Sequence, residues 1–388
     1  MRSVLTVLAL WAAGLGAAAQ FGKISVLYQT LQTTYASHAG FGIGLMVSIV
    51  GIVGLIFGTT AGLLVAKIGP RRAILSALAL GAAVSLIQSS FPSYPLMMLT
   101  RVLEGVSHLT IVVVGPTAIA GVTSARHQGL AMTLWSSFFG VTYAALAFFA
   151  PGLIALHGPG ALFQLHGLWM LLCFAVLFVL LPTDPEHHPV AGQGNLLAQH
   201  LAIYASPYIA APAMGFVFYT VTYVAVLTLL PAAVTPGWGP FIGVFMPLVS
   251  ITVSLTLGVW LLSKIAAFRL VQAGFAVAML ASLGLWATWG QGAPEAAFAL
   301  LMAAALGVVQ GASFASLAQI NPSAEDRARG AGAIAQLGNL GTTTGTPLLA
   351  LIMVQAGATG FALFLIGFSA LGIAIHAWQA RRRQRQPR

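Results

Sequence analysis

The stretch GLLVAKIGPRR, Gly62–Arg72, ends one apolar run and opens the next through a short basic turn. Its Lys67-Ile68-x-x-x-Arg72 pattern returns 197 residues later as Lys264-Ile265-x-x-x-Arg269. Two more pairs recur in the same order at nearly the same offset: Glu104-Gly105-x-Ser107 with Gln310-Gly311-x-Ser313, and Arg126-x-x-Gly129 with Arg327-x-x-Gly330. These matches predict a duplicated unit that occupies about half of the chain.

The composition of the whole chain is that of a membrane protein. Hydrophobic residues make up 59% of the 388 residues, charged residues only 6%, and the mean hydropathy is +0.95. A soluble domain averages about 25% charged residues, so the soluble classes are excluded. Backbone groups in lipid must pair within their own segment, and the apolar runs have helical length. We therefore expect an all-α polytopic membrane protein whose main surroundings are the lipid bilayer.

Apolar runs between turn signals predict twelve transmembrane helices, called spans 1 to 12 below. A Pro-, Gly- and His-rich connection between spans 6 and 7 divides them six and six. We therefore expect an N-terminal bundle at 1–181, a cytoplasmic linker at 182–199 and a C-terminal bundle with a basic tail at 200–388. The expected spans are 4–31, 41–66, 72–90, 95–121, 128–156, 162–181, 203–231, 240–262, 268–289, 295–318, 329–355 and 359–380.

The first twenty residues have two interpretations. A basic start, an apolar middle and the small residues Ala17–Ala19 are typical of a signal peptide. The apolar character, however, continues through Leu31 and many further spans follow. We therefore expect a first membrane helix rather than a cleaved segment.

The basic residues are distributed asymmetrically. With the N-terminus in the cytoplasm, every Lys and Arg except Lys23 and Arg101 falls in a cytoplasmic segment. This positive-inside pattern predicts an inner (plasma) membrane protein with both termini cytoplasmic. It also explains the high isoelectric point without a nucleic-acid partner.

Four ionisable side chains lie inside spans. Arg101, Glu104 and His108 are three and four residues apart on span 4, so they form one stripe. Glu104 is expected to pair with Arg101 and to accept a hydrogen bond from His108. Lys23 lies about 12 Å from the outer end of span 1, and Glu104 about 14 Å from the same face, at 1.5 Å per residue. A cluster that joins Lys23 to Glu104 or Arg101 is therefore expected.

This cluster has a structural and a functional interpretation. It can be a static ion pair that clamps spans 1 and 4. Alternatively it has a transport role, since an apolar pair would pack there at a lower desolvation cost. Two cations beside one carboxylate favour an anionic substrate or an exchanging proton. A coupling proton would be carried by Glu104 or His108.

The second half offers aromatic and amide groups where the first half has charges. Span 7 carries Phe216, Tyr219, Thr220 and Tyr223 at helical spacing, and span 10 carries Gln310. With the ions of span 4, Tyr219, Tyr223 and Gln310 are the expected substrate-binding residues. They suit a small organic anion with an apolar or planar part. Packing and lipid contact would explain each tyrosine equally well.

The remaining candidates have simpler interpretations. His166 and His376 are lone histidines in peripheral spans, and we expect them to be structural. Cys173 is expected to be a small buried residue, and the histidines of the EHHP stretch (186–189) to be part of a solvated linker. We expect no metal and no cofactor.

The turn Gly62–Arg72 resembles a motif of the major facilitator superfamily, G-x-L-x-D-x-x-G-R-[KR] between spans 2 and 3. The resemblance implies a loop that latches the cytoplasmic gate. Two positions depart from the motif, because Ala66 replaces the Asp and Pro70 the first Arg. The matching residues are Gly62, Leu64, Gly69 and Arg71, with Arg72 beside them.

A second motif of this family is R-x-x-Q-G-x-G on span 4. Arg101 and Gly105 match it, whereas Glu104 replaces the Gln and Ser107 the second Gly. The Glu version followed by Pro116 looks like the cyanate, nitrate and related small-anion porters. In the family the arginine lies by the central cavity and is linked to proton coupling or substrate.

The resemblance implies two pseudo-symmetric six-helix bundles and secondary active transport by alternating access. Uptake by proton symport competes with efflux or antiport. Family exporters carry a Gly-Pro motif on span 5, of which Gly140 and Ala150-Pro151-Gly152 are only a fragment, so we favour uptake. A membrane sensor or an intramembrane enzyme is the alternative from another class, although no catalytic constellation is visible. We expect a monomer that binds a small, anionic solute.

Overall fold

The computed structural model describes residues 2–58, 60–183 and 196–386, and every regular element within these ranges is helical. Ten helices within these ranges are long and apolar enough to cross a membrane. The last of them contains two spans that meet at Gly357, where φ of 50° and ψ of −131° interrupt the helix. Span 2 consists of three shorter helices and completes the twelve expected spans.

The helix bounds agree with the expected spans to within a few residues at most ends. In chain order the helices are Arg2–Val26 and Tyr28–Thr34 (span 1); Phe41–Ser48, Gly51–Phe57 and Ala61–Ile68 (span 2); Pro70–Gln88 (span 3); Tyr94–Val122 (span 4); Ala125–Ser136 and Phe138–His157 (span 5); Gly160–Leu180 (span 6); Leu196–Ala205, then Ala211–Ala233 (span 7); Gly239–Val253, the π-helical Ser254–Gly258 and Val259–Leu262 (span 8); Ala267–Ala287 (span 9); Ala293–Ile320 (span 10); and Ala324–Arg385 (spans 11 and 12).

Span 7 begins later than expected. The sequence predicts a continuous helix from residue 203, whereas the structure has a separate helix up to Ala205 and begins span 7 at Ala211. The side chain of Ser206 accepts hydrogen bonds from the backbone N–H groups of Tyr208 and Ile209. This local turn, together with the missing N–H of Pro207, replaces the helical hydrogen bonds at the break.

The chain divides into two compact units. One consists of Met1–Ala39 and Ile49–Gly192, and the other of Gly40–Ser48 and Gln193–Arg388. The first helix of span 2 therefore belongs to the second unit, although the sequence places it with the N-terminal bundle. Most of the expected linker, residues 184–195, lies outside the described residues, and the Leu196–Ala205 helix occupies its end.

A close helix contact explains why Gly40–Ser48 belongs to the second unit. A Cβ placed on Gly44 would lie 2.7 Å from the Cα of Pro347 and 3.1 Å from the carbonyl oxygen of Thr346. Only glycine allows backbones to approach so closely without displacement. Phe41–Ser48 therefore packs against the long helix that begins at Ala324.

Span 1 is the central helix of the first unit. It packs against spans 4, 5 and 6, while span 3 packs against spans 4 and 6. Small residues on span 1 allow these neighbours to approach, and a Cβ on Gly16 would lie 2.5 Å from the sulfur of Met170. This packing buries the polar residues of span 1 among four helices and creates the site described next.

Candidate functional site: a buried ion cluster

Three charged side chains meet in the interior of the first unit, and we call them the ion cluster: Lys23, Arg101 and Glu104. Each is 0% exposed. The Nζ of Lys23 lies 2.5 Å from Oε1 of Glu104, and Nη1 of Arg101 bonds the other carboxylate oxygen. The predicted cluster of spans 1 and 4 is thus present in the described structure, and its role stays a prediction.

The ammonium of Lys23 has three hydrogen-bond acceptors around it. Besides Glu104, the Nζ lies 2.9 Å from Oγ of Ser85 on span 3 and 3.2 Å from Nδ1 of His166 on span 6. The ring of Phe163 lies 5.2 Å from the same nitrogen. An ammonium has three N–H donors, so this arrangement suits the charged form of Lys23.

The carboxylate of Glu104 is surrounded by donors from three spans. Oε1 accepts from Lys23, while Oε2 accepts from Arg101 and, at 3.0 Å, from Nε2 of Gln88. The Gln88 amide also donates to Oγ1 of Thr100 at 3.1 Å. These donors hold the carboxylate in place, and the two cations share it.

The ion cluster carries an excess positive charge. Lys23 and Arg101 contribute two charges and Glu104 balances one of them. Charges inside a membrane protein are costly unless they are paired. The cluster can approach neutrality by releasing a proton or by attracting an anion, so both alternatives from the sequence remain open.

His108 does not make the predicted bond to Glu104. Its Nδ1 lies 3.0 Å from the carbonyl oxygen of Ala17, and its ring meets Phe21 edge-on with 5.1 Å between centroids. A carbonyl oxygen can only accept, so Nδ1 donates to span 1. The oxygens of Glu104 are already occupied by nearer donors, which is why the stripe of span 4 does not continue to His108.

His166 is a residue of the site that sequence reasoning missed. The expectation of a lone histidine is wrong, because His166 contacts Lys23 and Ser85 and lies 3.0 Å from the carbonyl oxygen of Gly16 through Nε2. Its expected structural role stays a prediction. Its depth was a usable signal. It lies six residues into span 6, about 9 Å from the same face as Lys23 at 1.5 Å per residue.

The predicted aromatic residues of span 7 form a ladder in the second unit. The rings of Phe216 and Tyr219 stack with 5.2 Å between centroids, and those of Tyr219 and Tyr223 with 5.0 Å. Tyr219 is 2% and Tyr223 5% exposed, and the Tyr219 hydroxyl has no partner among the described residues. Gln310 is partly buried on span 10. The unit thus contains these candidates, and a substrate role for them stays a prediction.

The predicted gate loop forms an ordered corner in the first unit. Gly62 lies within the last helix of span 2, and Gly69, with φ of 95°, separates that helix from span 3. Arg71 donates to the carbonyl oxygens of Leu181 at 2.5 Å and Phe178 at 2.6 Å. Arg72 is exposed. Arg71 therefore caps the end of span 6, and the latch role stays a prediction.

Comparisons with known proteins support the fold. The family model described as the Major Facilitator Superfamily matches residues 6–345. The search of curated proteins gave no match. Two solved structures resemble the chain at 16% identity: the inward-open xylose transporter XylE from E. coli (TM-score 0.75, 97% of this chain and 95% of that chain) and a D-xylose-proton symporter (TM-score 0.77, 96% of both chains).

The family model covers most of the chain, and both structural neighbours share its fold across nearly their full lengths. Solved neighbours at this identity establish the fold alone. Transport by alternating access is inherent to the family. The chain therefore belongs to the Major Facilitator Superfamily and is a multi-pass membrane transporter rather than an enzyme.

Proposed function

We propose that the protein is a proton-coupled uptake transporter for a small organic anion. It acts as a monomer in the inner membrane with both termini in the cytoplasm. The observation that carries the proposal is the excess positive charge of the fully buried ion cluster. The asymmetric distribution of basic residues supports the orientation.

The proton is assigned to the Lys23–Glu104 pair. Arg101 keeps its proton under all conditions in proteins. Among the described residues, Glu104 forms a salt bridge with both cations. Release of a proton from the Lys23 ammonium leaves a neutral amine beside the Glu104–Arg101 pair, and the cluster becomes neutral. Sequence spacing pointed to Glu104 or His108 as the carrier, whereas the contacts favour Lys23.

Charge links this proton to an anionic solute. The protonated cluster carries one net positive charge, which a nearby anion stabilises. The anion therefore favours proton binding and, by linkage, the proton favours anion binding. Co-transport of the two follows from this reciprocity. Since Lys23 and Arg101 are 0% exposed, the anion acts through the field of the cluster in this conformation rather than by direct contact.

Two expectations are retained as parts of the proposal. The aromatic ladder of Phe216, Tyr219 and Tyr223 would contact an apolar or planar part of the solute. The Tyr219 hydroxyl, which has no partner in the described part of the chain, supports this. The likeness to small-anion porters agrees with an anionic solute. The proton symport named for one structural neighbour gives a precedent within the fold and says nothing about the solute of this chain.

Efflux of the same solute by proton antiport is the second candidate. Antiport requires the solute and the proton to displace each other, whereas the charge of the cluster makes each favour the binding of the other, so the cluster favours symport. The fragmentary span 5 motif favours uptake. Accumulation inside proteoliposomes under an inward proton gradient would support uptake, and depletion of a preloaded solute under that gradient would support antiport.

The substitution Glu104→Gln tests the proposal. Without the carboxylate, Lys23 and Arg101 lose their counter-charge, Lys23 no longer binds a proton reversibly, and gradient-driven uptake should fall at least ~10-fold. Solute exchange should persist, because the amide keeps the shape and a hydrogen-bond acceptor. The probes are shikimate, 4-hydroxybenzoate, succinate and D-xylose, first ranked by thermal shift of the purified protein.

Two proteoliposome assays are run on each variant, one with an imposed pH gradient and one with counterflow at equal pH. Asp326→Asn, which removes a carboxylate outside the cluster, is the matched control and should keep both activities. Full gradient-driven uptake by Glu104→Gln would remove the cluster from coupling. Preference for D-xylose over all three anions would contradict the anionic solute.

A further inference from the structure

His166 lies where it can control the charge of Lys23. It is buried on span 6, and its Nδ1 faces the Lys23 ammonium at 3.2 Å. Its Nε2 faces the carbonyl oxygen of Gly16 on span 1 at 3.0 Å. The imidazole ring of His166, on span 6, therefore contacts span 1 twice, at the Lys23 ammonium and at a backbone carbonyl oxygen.

The hydrogen bonds assign the tautomer of this ring. The carbonyl oxygen of Gly16 only accepts, so the hydrogen of His166 must be on Nε2. The hydroxyl of Ser85 donates to the carbonyl oxygen of Phe163 at 2.9 Å. The lone pair on Nδ1 is then directed at Lys23, and His166 is a neutral acceptor for the third N–H of the ammonium.

The other two acceptors of Lys23, Glu104 and Ser85, are less suited to set its protonation. Glu104 divides its charge between Lys23 and Arg101, and the Ser85 hydroxyl oxygen is a neutral, weaker acceptor. The charged groups that His166 faces are Lys23 from span 1, and Glu104 and Arg101 from span 4. The group that span 3 presents to the ring, Ser85, does not titrate.

We propose that His166 is a positioning residue that holds the coupling proton on Lys23. Its Nδ1 lone pair stabilises the ammonium and does nothing for the neutral amine, so the bond sets the pH at which Lys23 releases its proton. The coupling role rests on the proposed function. The effect on the protonation of Lys23 does not, and it can be measured without any solute.

The protonation of Lys23 can be measured directly. It has three lysines, and Lys67 and Lys264 are exposed whereas Lys23 is buried. Protein grown with ¹³Cε-lysine and placed in nanodiscs should give three signals, of which Lys23→Met removes one and so assigns it. The chemical shift of that signal against pH reports the protonation of Lys23.

Three substitutions of His166 separate the effect of its Nδ1 acceptor from the effect of its Nε2 contact with Gly16. His166→Asn places an amide oxygen near the position of Nδ1, so it keeps the acceptor and loses the contact with Gly16. His166→Gln places an amide nitrogen near the position of Nε2, so it keeps the Gly16 contact and loses the acceptor. His166→Phe keeps the ring and loses both.

The expected result is a titration midpoint of Lys23 in His166→Asn close to that of the wild type. In His166→Gln and His166→Phe the midpoint should be lower by about one pH unit, the effect of a lost hydrogen bond to a charged group. An unchanged midpoint in His166→Phe would overturn the proposal. So would a Lys23 signal that never titrates, or an Asn variant that shifts as much as the Phe variant.

Transport assays show separately whether the bond serves coupling. Gradient-driven uptake of the best probe should follow the same order, with its pH optimum shifted in the Gln and Phe variants and retained in the Asn variant. If the wild-type protein shows the lysine titration but no proton-driven uptake of any probe, the proposed function fails and the effect of His166 on Lys23 stands.

Discussion

A Glu104→Leu variant is expected to lose about 3 to 5 kcal/mol of stability, because it removes the carboxylate that two buried basic side chains, Lys23 and Arg101, share. Both side chains are 0% exposed, so neither can reach water without displacing a helix. The loss should be visible as a lower melting temperature in detergent micelles and as a reduced yield of monodisperse protein.

The matched control for Glu104→Leu replaces the whole ion cluster. Lys23→Met, Arg101→Met and Glu104→Leu together substitute apolar side chains of similar length, and such replacements are often neutral or stabilising. We expect this triple variant to recover most of the stability and to show no proton coupling. A single Glu104→Leu variant as stable as the wild type would contradict the ion pairs described here.

The second large effect is expected from Gly345→Ala. A Cβ at this position would lie 1.9 Å from the carbonyl oxygen of Val221 and 2.8 Å from its carbonyl carbon. The clash is with the backbone of span 7, which no rotamer change can relieve. We expect destabilisation of about 3 kcal/mol or more, since overpacking costs increase when the backbone must move.

Gly367→Ala is the control for this prediction. It lies on span 12, beyond the break at Gly357, and a Cβ there would meet nothing within 4 Å. Its melting temperature should equal or slightly exceed that of the wild type, because alanine favours a helix over glycine. Equal melting temperatures for both variants would show that spans 7 and 11 are less closely packed than described.

Much of the fold could be predicted from the sequence, because the bilayer imposes the length and the apolar character of each helix. Turn residues with a left-handed backbone, such as Gly158 and Gly237, lie where the spans were expected to end. The assignment of Gly40–Ser48 could not be predicted in this way. It depends on a contact between Gly44 and Pro347. These residues are distant in sequence, and neither indicates the contact on its own.

Part of the candidate site could also be predicted, because helical spacing and depth in the membrane constrain which residues meet. Helical spacing places Arg101 beside Glu104, and equal depth places Lys23 near them. Spacing along one helix does not fix the direction of a side chain, so His108 was assigned to Glu104 although it bonds Ala17. His166 is contributed by another span. Its depth could be read from the sequence, but one sequence does not show which spans pack together to bring it to Lys23.

The burial of the ion cluster changes the mechanistic interpretation of Lys23 and Arg101. From the sequence they were expected to bind an anionic substrate directly. In the structure Lys23 is held by groups from spans 3, 4 and 6. An arrangement with all of its donors satisfied suits reversible proton binding better than ligand capture. Direct capture would require a conformation in which this contact set opens.

The most direct test of the account is solute-driven proton movement in the wild-type transporter. Proteoliposomes with a pH-sensitive dye inside are given an inward gradient of the best anionic probe, with no pH gradient and with the membrane potential clamped. Proton symport predicts that the interior acidifies with the wild type and not with Glu104→Gln, while both proteins exchange the probe. Solute entry without acidification in the wild type, or equal acidification in both variants, would contradict the account.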